Sequence, residues 1–325
     1  MEKLCKKCVV LYSGGLDSLL AVHIMLSLNF EVYPLFVKTP FYNKDEKQLK
    51  KGLSGLPVKL YMAENDKEYL ELVKHPKFGY GKNLNPCVDC KIFFLQQAKR
   101  FMDEIEACFV VTGEVLGQRP MSQRSYSVMR AIEKRADLSD TVLRPLSAKC
   151  LPKTKMEEEG IVDRDKLFCI TGRSRKEQFE IAKLFGIEEF ESPAGGCLLT
   201  DASMSKRVKE MLEYGYVDKY ELGLLTLGRH FRINSKRFVV SRKKDETYLM
   251  LKRFGGILPL LRCHNAPGAI GVFVNEPDSK EIEIASAILK RYSKKAETFE
   301  YSYKDEVKIV QPGDIKEDEL ELLKI

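Results

Sequence analysis

The 325-residue chain reads as an α/β protein, a doubly wound parallel sheet followed by a second, smaller α+β domain. Three observations lead there. Short apolar runs alternate with helix-period stretches in the first third of the chain. A Ser/Gly turn joins the first apolar run to the first helical stretch. Near residue 200 the texture changes to short alternating stretches with basic residues between them. A chain of this length also exceeds one ordinary domain.

Taken in order, Val9-Val10-Leu11-Tyr12, Val32 to Val37 and Cys108 to Gly113 are predicted as buried parallel strands. Cys90 to Met102 has apolar residues at helical spacing. Strands that alternate with helices place ligands at the carboxyl ends of the strands. Ser13-Gly14 and Thr112-Gly113-Glu114 stand at two such ends. Leu167 to Thr171 is expected as a further strand, and Lys176 to Phe185 as a helix stopped by Gly186. Ser203 to Tyr214 reads as a connecting helix. Beyond it, Arg232 to Asn234, Arg237 to Arg242 and Tyr248 to Leu251 read as strands of a β-rich domain. A helix over Lys280 to Tyr292 and strands at Phe299 to Tyr303 and Val307 to Val310 complete it. The expected domains are 1–200, a linker 201–226, an α+β domain 227–313 and an acidic tail 314–325 that forms a short surface helix.

Composition narrows the function. Apolar residues make up 44% and charged residues 31%, a globular balance. No apolar run approaches the roughly 18 residues of a membrane helix, and the N-terminus lacks a signal-peptide core, so no membrane partner and a cytoplasmic location are expected. Nine cysteines then suggest reduced thiols, metal ligands or catalytic sulfur rather than a disulfide framework. The net charge of +7 favours an anionic partner.

The run Tyr12-Ser13-Gly14-Gly15-Leu16-Asp17-Ser18 lies between a strand and a helix. Such a turn aims backbone N–H groups and a helix dipole at an anion, and phosphate is the usual guest. Adjacent glycines let the backbone approach, and the Ser13 and Ser18 hydroxyls are candidate donors. The lysine of a Walker loop is absent. The run resembles the SGGxDS loop of the PP-loop ATP pyrophosphatases, an adenine nucleotide alpha hydrolase-like fold. These enzymes cleave ATP to AMP and pyrophosphate to activate a carbonyl oxygen. The resemblance implies ATP on Ser13, Gly14, Gly15, Leu16, Asp17 and Ser18, with Asp17 helping to hold Mg²⁺.

Asn85-Pro86-Cys87-Val88-Asp89-Cys90 is a CxxC at the start of a helix, and Ser192 to Leu198 places Cys197 in a Gly-rich turn. A redox pair, a zinc site and an iron–sulfur site all use a CxxC. A helix N-terminus would lower a thiol pKa and suit a persulfide carrier and a resolving cysteine. Three thiolates from two segments suit a [4Fe–4S] cluster with one iron open. The segment resembles that of PP-loop tRNA thiolases of the 2-thiouridylase-like group, several of which hold such a cluster on a CxxC plus one distant Cys. The resemblance covers residues 8 to 200. It implies Cys87, Cys90 and Cys197 as cluster ligands, Cys87 and Cys197 as catalytic with Asp17, and Thr112 and Gly113 on the adenine. Cys5-Lys6-Lys7-Cys8 leads into a buried strand and reads as terminus plus core. Cys108, Cys150, Cys169 and Cys263 read as packing residues.

Gln118, Arg119 and Gln123 lie in a polar loop after a strand, where function concentrates, and are candidates for phosphates or the target base, the alternative being a solvated surface loop; Gln118 and Arg119 are the candidates for RNA. Lys149 is a candidate phosphate ligand or a plain surface lysine. Arg173-Ser174-Arg175-Lys176 stands at a helix start, against the dipole's preference, which suggests a nearby anion or a solvated face. The four histidines show no metal spacing.

Residues 201–313 hold 21 Lys/Arg against 15 Asp/Glu, interleaved with aromatics. Basic groups neutralise phosphates and exposed rings stack on bases. Ser241 to Glu246, Ala266-Pro267-Gly268 and Arg291 to Lys294 resemble the NFACT RNA-binding module, which implies Arg242 and Lys294 on RNA. The resemblances together imply ATP-dependent tRNA uridine thiolation to 2- or 4-thiouridine. Its partners would be tRNA and a sulfur donor, whether a cysteine desulfurase, a sulfur carrier or free sulfide. The alternatives are another PP-loop adenylating enzyme without sulfur transfer and a non-catalytic ATP- and RNA-binding protein.

Overall fold

The computed structural model describes residues 6–41, 46–190, 197–215 and 218–325. The chain divides into two compact units, Met1–Thr200 and Asp201–Ile325.

The first unit runs β1 (Lys7–Leu11), α1 (Leu16–Ser27), β2 (Glu31–Lys38), α2 (Glu46–Gly52), β3 (Tyr61–Glu64), α3 (Asp66–Lys74), α4 (Cys87–Glu104), β4 (Phe109–Thr112), α5 (Tyr126–Arg135), β5 (Val142–Leu143), α6 (Lys155–Glu158) and α7 (Lys176–Leu184). Its sheet has the order β3-β2-β1-β4-β5, and every pair is parallel. The order reverses at β1, which pairs with both β2 and β4, so a crevice opens at their carboxyl ends. Side chains alternate between the two faces. Cys8, Val10, Phe109 and Val111 point into a core closed by α1 and by Ile181 and Ala182 of α7. α4 packs on β1 and β4.

Leu167 to Thr171 is not a full strand. It makes ladder-like bonds from Phe168 N to Pro145 O and from Ile170 N to Leu146 O, with Lys149 N returning to Phe168 O, and on its other side only a single bridge, Thr171 to Leu116. This ladder sets the Cα atoms of Cys150 and Cys169 4.9 Å apart, and the two are joined as a disulfide. Cys108 is disulfide-bonded too. The reading of these three as packing thiols is therefore corrected; the backbone pairing that opposes Cys150 to Cys169 has no local sequence signal. Cys8 stays a buried core thiol as expected, and Cys263 is free. Cys5 and the Ser192 to Gly196 turn lie outside the described residues.

The second unit runs α8 (Ala202–Glu213), α9 (Lys219–Leu224), β6 (Arg229–Ile233), β7 (Lys236–Val240), α10 (Lys244–Phe254), β8 (Leu260–Cys263), β9 (Ile270–Phe273), α11 (Ser279–Tyr292), β10 (Phe299–Tyr303), β11 (Glu306–Val310) and α12 (Glu317–Leu323). Its sheet is antiparallel throughout, in the order β11-β10-β8-β9-β7-β6. Phe238 and Val240 face a core with Ile282, Ala285 and Ile288 of α11, while Val239 between them faces Met250 and Phe254 of α10. Tyr248 to Leu251, expected as a strand, lies in α10. Acidic Asp245 and Glu246 at its start and Lys252 and Arg253 at its end complement the helix dipole. The C-terminal segment is no free tail: Leu320 of α12 is buried with Phe231 and Phe299, and Lys324 bridges to Phe231 on the edge strand β6. Among the described residues no helix is long and apolar enough to cross a membrane.

Candidate nucleotide and thiol site

The Ser13–Ser18 turn leaves β1 and enters α1 at the crevice. Gly14 has φ +74°, a left-handed conformation that favours glycine. Ser18 ties the turn together. Its Oγ accepts from Ser13 N (3.1 Å) and donates to Gly15 O (2.8 Å), and Ser18 also lines the cavity beside the turn. Leu16 is turned away, into the core. Asp17 is different. Its Oδ2 accepts from Gln118 Nε2 at 3.2 Å and lies 3.7 Å from Arg175 Nη2, while its Oδ1 is buried with no hydrogen-bond partner. Burial pushes the Asp17 carboxyl up, against the pull of Arg175. An orphaned carboxylate oxygen beside a phosphate-type turn is a fit for a divalent cation.

Thr112 and Gly113 end β4 against this turn. A Cβ on Gly113 would lie 2.4 Å from the backbone carbonyl of Asp17 and 2.5 Å from Ser18 N. Only glycine fits the strand end this close to the loop. A cavity of about 210 Å³ opens between them, lined by Ser13, Asp17, Thr112, Gly113, Lys91 and Arg119 among others. Lys149 is not among its walls. It is exposed, and its Nζ donates to the Asp165 carbonyl at 2.8 Å, which corrects its assignment as a phosphate ligand. Gln118 and Arg119 line the cavity itself.

Behind the cavity runs a chain of buried charge. Lys91 Nζ lies 3.2 Å from Glu114 Oε1, Arg144 Nε donates to Glu114 Oε2 at 3.1 Å, and Arg144 also pairs with Glu133. Burial pushes the Glu114 carboxyl up, but Lys91 and then Arg144 outweigh it and hold it at about 2.

The thiols gather at the start of α4. Cys87 Sγ lies 3.6 Å from Ser122 Oγ, and Cys90 Sγ lies 3.4 Å from the Tyr69 hydroxyl. Asp89 between them is buried and accepts from the N–H groups of Lys77 and Phe78, both at 3.0 Å, which pins the preceding turn onto the helix. Distant Cys197 is brought over by two stitches: Leu84 N to Leu199 O (3.1 Å) and Asn83 Nδ2 to Thr200 O (2.7 Å). Cys87, Cys90 and Cys197 lie within electrostatic reach of one another. Burial pushes the Cys90 thiol up to about 12, so the helix N-terminus does not lower it as expected. Partial enclosure, then Cys87 beside it, push the Cys197 thiol up. The donors are right in kind and number for a cluster. Among the described residues, however, no three Cys, His, Asp or Glu side chains are grouped to hold a metal.

Residues 4–158 match the family model of the thiamine biosynthesis protein (ThiI), and residues 228–322 match that of the NFACT protein RNA binding domain. The two matches fall in succession, the first within the first compact unit and the second within the second. A probable tRNA sulfurtransferase of Thermococcus kodakarensis is 31% identical over 164 residues, 48% of this chain and 39% of that protein. The tRNA-specific 2-thiouridylase MnmA of a Nitratiruptor species is 28% identical over 116 residues, 33% of this chain and 34% of its own length. The chain thus spans well under half the length of the curated relatives it matches. Among solved structures, the U34-tRNA thiolase NcsA from Methanococcus maripaludis with its [4Fe-4S] cluster is similar at 17% identity over 69% of this chain and 74% of that one, with a TM-score of 0.35.

The ThiI match includes the Ser13–Ser18 turn, Cys87 and Cys90, and ends before Arg175 and Cys197. Within residues 228–322, Arg242 is engaged by Glu246, with Nε–Oε1 at 3.0 Å, and Lys294 is exposed past the end of α11. Sequence reasoning did not single out Lys91, although it directly follows the CxxC, nor Tyr69, Ser122 and Gln178, whose types carry no signal without the fold.

Proposed function

We propose that this protein is an ATP-dependent tRNA uridine thiolase. One observation carries the reading. α4 begins with two of the three neighbouring thiols, and its next residue, Lys91, lines the cavity closed by the Ser13–Ser18 turn and Gly113. Nucleotide chemistry and sulfur chemistry thus share one helix.

In this reading ATP occupies the cavity, with its adenine at Thr112–Gly113 and its phosphates at the turn. Asp17 Oδ1 would take Mg²⁺. The uracil carbonyl oxygen attacks the α-phosphorus and pyrophosphate leaves. A sulfur nucleophile then attacks the activated carbon, and AMP departs in place of a poor oxide leaving group. Lys91 and Arg119 supply positive charge where phosphate charge develops. Cys87, Cys90 and Cys197 would hold a [4Fe–4S] cluster, which when bound supplies an iron position open to sulfur. The NFACT RNA-binding domain match and the basic excess of residues 201–313 support tRNA as the substrate. A base acted on in structured RNA is splayed from its stack.

The test is to incubate anaerobically prepared protein, reconstituted with iron and sulfide, with ATP, Mg²⁺ and unmodified tRNA, then to digest the tRNA for nucleoside mass spectrometry. Thiouridine is expected from the unaltered protein and at least a hundred-fold less from Cys197→Ser, in line with loss of a reacting group. Full AMP release without sulfur in the nucleosides, unaffected by Cys197→Ser, would instead establish adenylation alone.

A further inference from the structure

Two segments of the first unit that carry no acidic residue meet beside Cys87. The chain holds 47 Asp and Glu, yet none falls between Lys74 and Val88 or between Val115 and Ile132. Lys74, Lys77 and Lys82 in the first segment are exposed, as are Arg119 and Arg124 in the second. Asp89 holds the N–H groups of Lys77 and Phe78 against α4. The Cβ that Gly81 lacks would sit 3.6 Å from Met121 Cε, and the next residue, Ser122, has its Oγ 3.6 Å from Cys87 Sγ. The two segments thus form one basic rim around that thiol.

Large apolar side chains stand open on the rim. Phe78 is 43% exposed, Tyr80 41% and Met121 40%. The two rings are held rather than loose. The Tyr80 hydroxyl donates to Val73 O at 2.6 Å, near the end of α3, and the Arg135 guanidinium lies 4.7 Å from the centre of the Phe78 ring. Grouped apolar exposure rimmed by polar residues marks a surface that a partner covers, and rings already fixed lose little entropy when covered. Bases stack on such rings while lysines neutralise the backbone. A protein that delivers sulfur would approach the same thiols, but acid-free basic charge with open rings favours a polyanion that carries flat bases.

We infer that Phe78 and Tyr80 form a stacking platform, edged by Lys74, Lys77 and Lys82, for unpaired nucleotides flanking the target uridine of the RNA substrate. The inference rests on the thiolase reading and gives the first unit an RNA contact of its own, outside residues 228–322.

Filter binding of unmodified tRNA to the full chain at a series of salt concentrations tests this, with circular dichroism as the check on folding. Phe78→Ala combined with Tyr80→Ala is expected to weaken tRNA binding about ten-fold and leave the salt slope unchanged, as for lost stacking. Lys74→Gln, Lys77→Gln and Lys82→Gln together should reduce the slope of log affinity against log salt by about two. Lys183→Gln, exposed on α7, should do neither. Tyr80→Ala alone and the triple lysine variant carry the test if Phe78→Ala does not fold. Unchanged affinity and slope in both sets would overturn the platform and leave the thiolase reading intact. Full tRNA binding, with thiolation lost only when a protein rather than free sulfide supplies the sulfur, would overturn it in favour of a protein partner. An unaltered chain that binds no tRNA would remove both.

Discussion

Glu114 shows how a single side chain can be assigned from the turn it follows and still be misjudged in its duties. Thr112-Gly113-Glu114 is visible in the sequence as a strand end, and Gly113 is needed there for close approach. The partners of Glu114 are not visible. Arg144 is 30 residues away, and only the parallel pairing of β4 with β5 brings it alongside. The carboxyl is held below its ordinary value of 4.5, so its contribution to stability is complete above that pH and lost as pH falls toward 2. Glu114→Gln leaves Arg144 buried with one carboxylate partner. It should cost about 3 kcal/mol at neutral pH and flatten the acid limb of the stability curve between pH 4.5 and 2, as read by circular dichroism. Lys149 is the opposite case. Its type suits phosphate, yet it lies exposed away from the cavity with its ammonium on the Asp165 carbonyl.

Helices and strands were readable wherever local pattern and tertiary environment agree. β1, β2 and β4 are buried on both faces, and their apolar runs say so. β3 and β5 are missed because one is exposed at alternate positions and the other is two residues long. Tyr248-Leu249-Met250-Leu251 has no polar break to reveal helical period, and only the charges at the ends of α10 mark it as a helix. In the second unit, α8 and α9 are secured to the sheet by Arg237, which is fully buried on β7. Its Nε donates to Glu221 at 2.7 Å, and its other nitrogens engage Glu210, the Arg207 carbonyl and, at 2.9 Å, His230 Nδ1. Residues 201–226 therefore belong to the second unit's own packing. Arg237→Met leaves buried Glu221 and half-buried Glu210 with Arg232 as their remaining cation and His230 without its guanidinium partner. A loss of about 3–5 kcal/mol in urea unfolding is expected; a loss below about 1 kcal/mol would mean the network is incidental.

Across the molecule, the change of texture near residue 200 and the break between Thr200 and Asp201 coincide because the two cores have different periods. One is built from parallel strands with helices between them, the other from antiparallel strands crossed by α10 and α11. The candidate site was legible where one segment carries it, as in Ser13–Ser18 and Cys87–Cys90. It was not legible where remote segments converge, as with Tyr69 and Ser122 against the thiols and Gln178 against Asp17. The net charge of +7 belongs to the chain as a whole and bears on the RNA substrate proposed above. Binding through about four phosphate contacts would lose roughly a hundred-fold in affinity between 50 and 200 mM salt. Filter binding at a series of salt concentrations measures this; a flat response would remove the electrostatic account of the RNA partner.

The contact between Gly113 and the Asp17–Ser18 backbone carries a kinetic meaning. With not even a methyl group's clearance, the turn cannot swing like a shutter unless β4 moves as well, and β4 sits between two neighbours in the sheet. Under the proposed function, a nucleotide would therefore meet a turn already set in its binding geometry rather than one that folds around it.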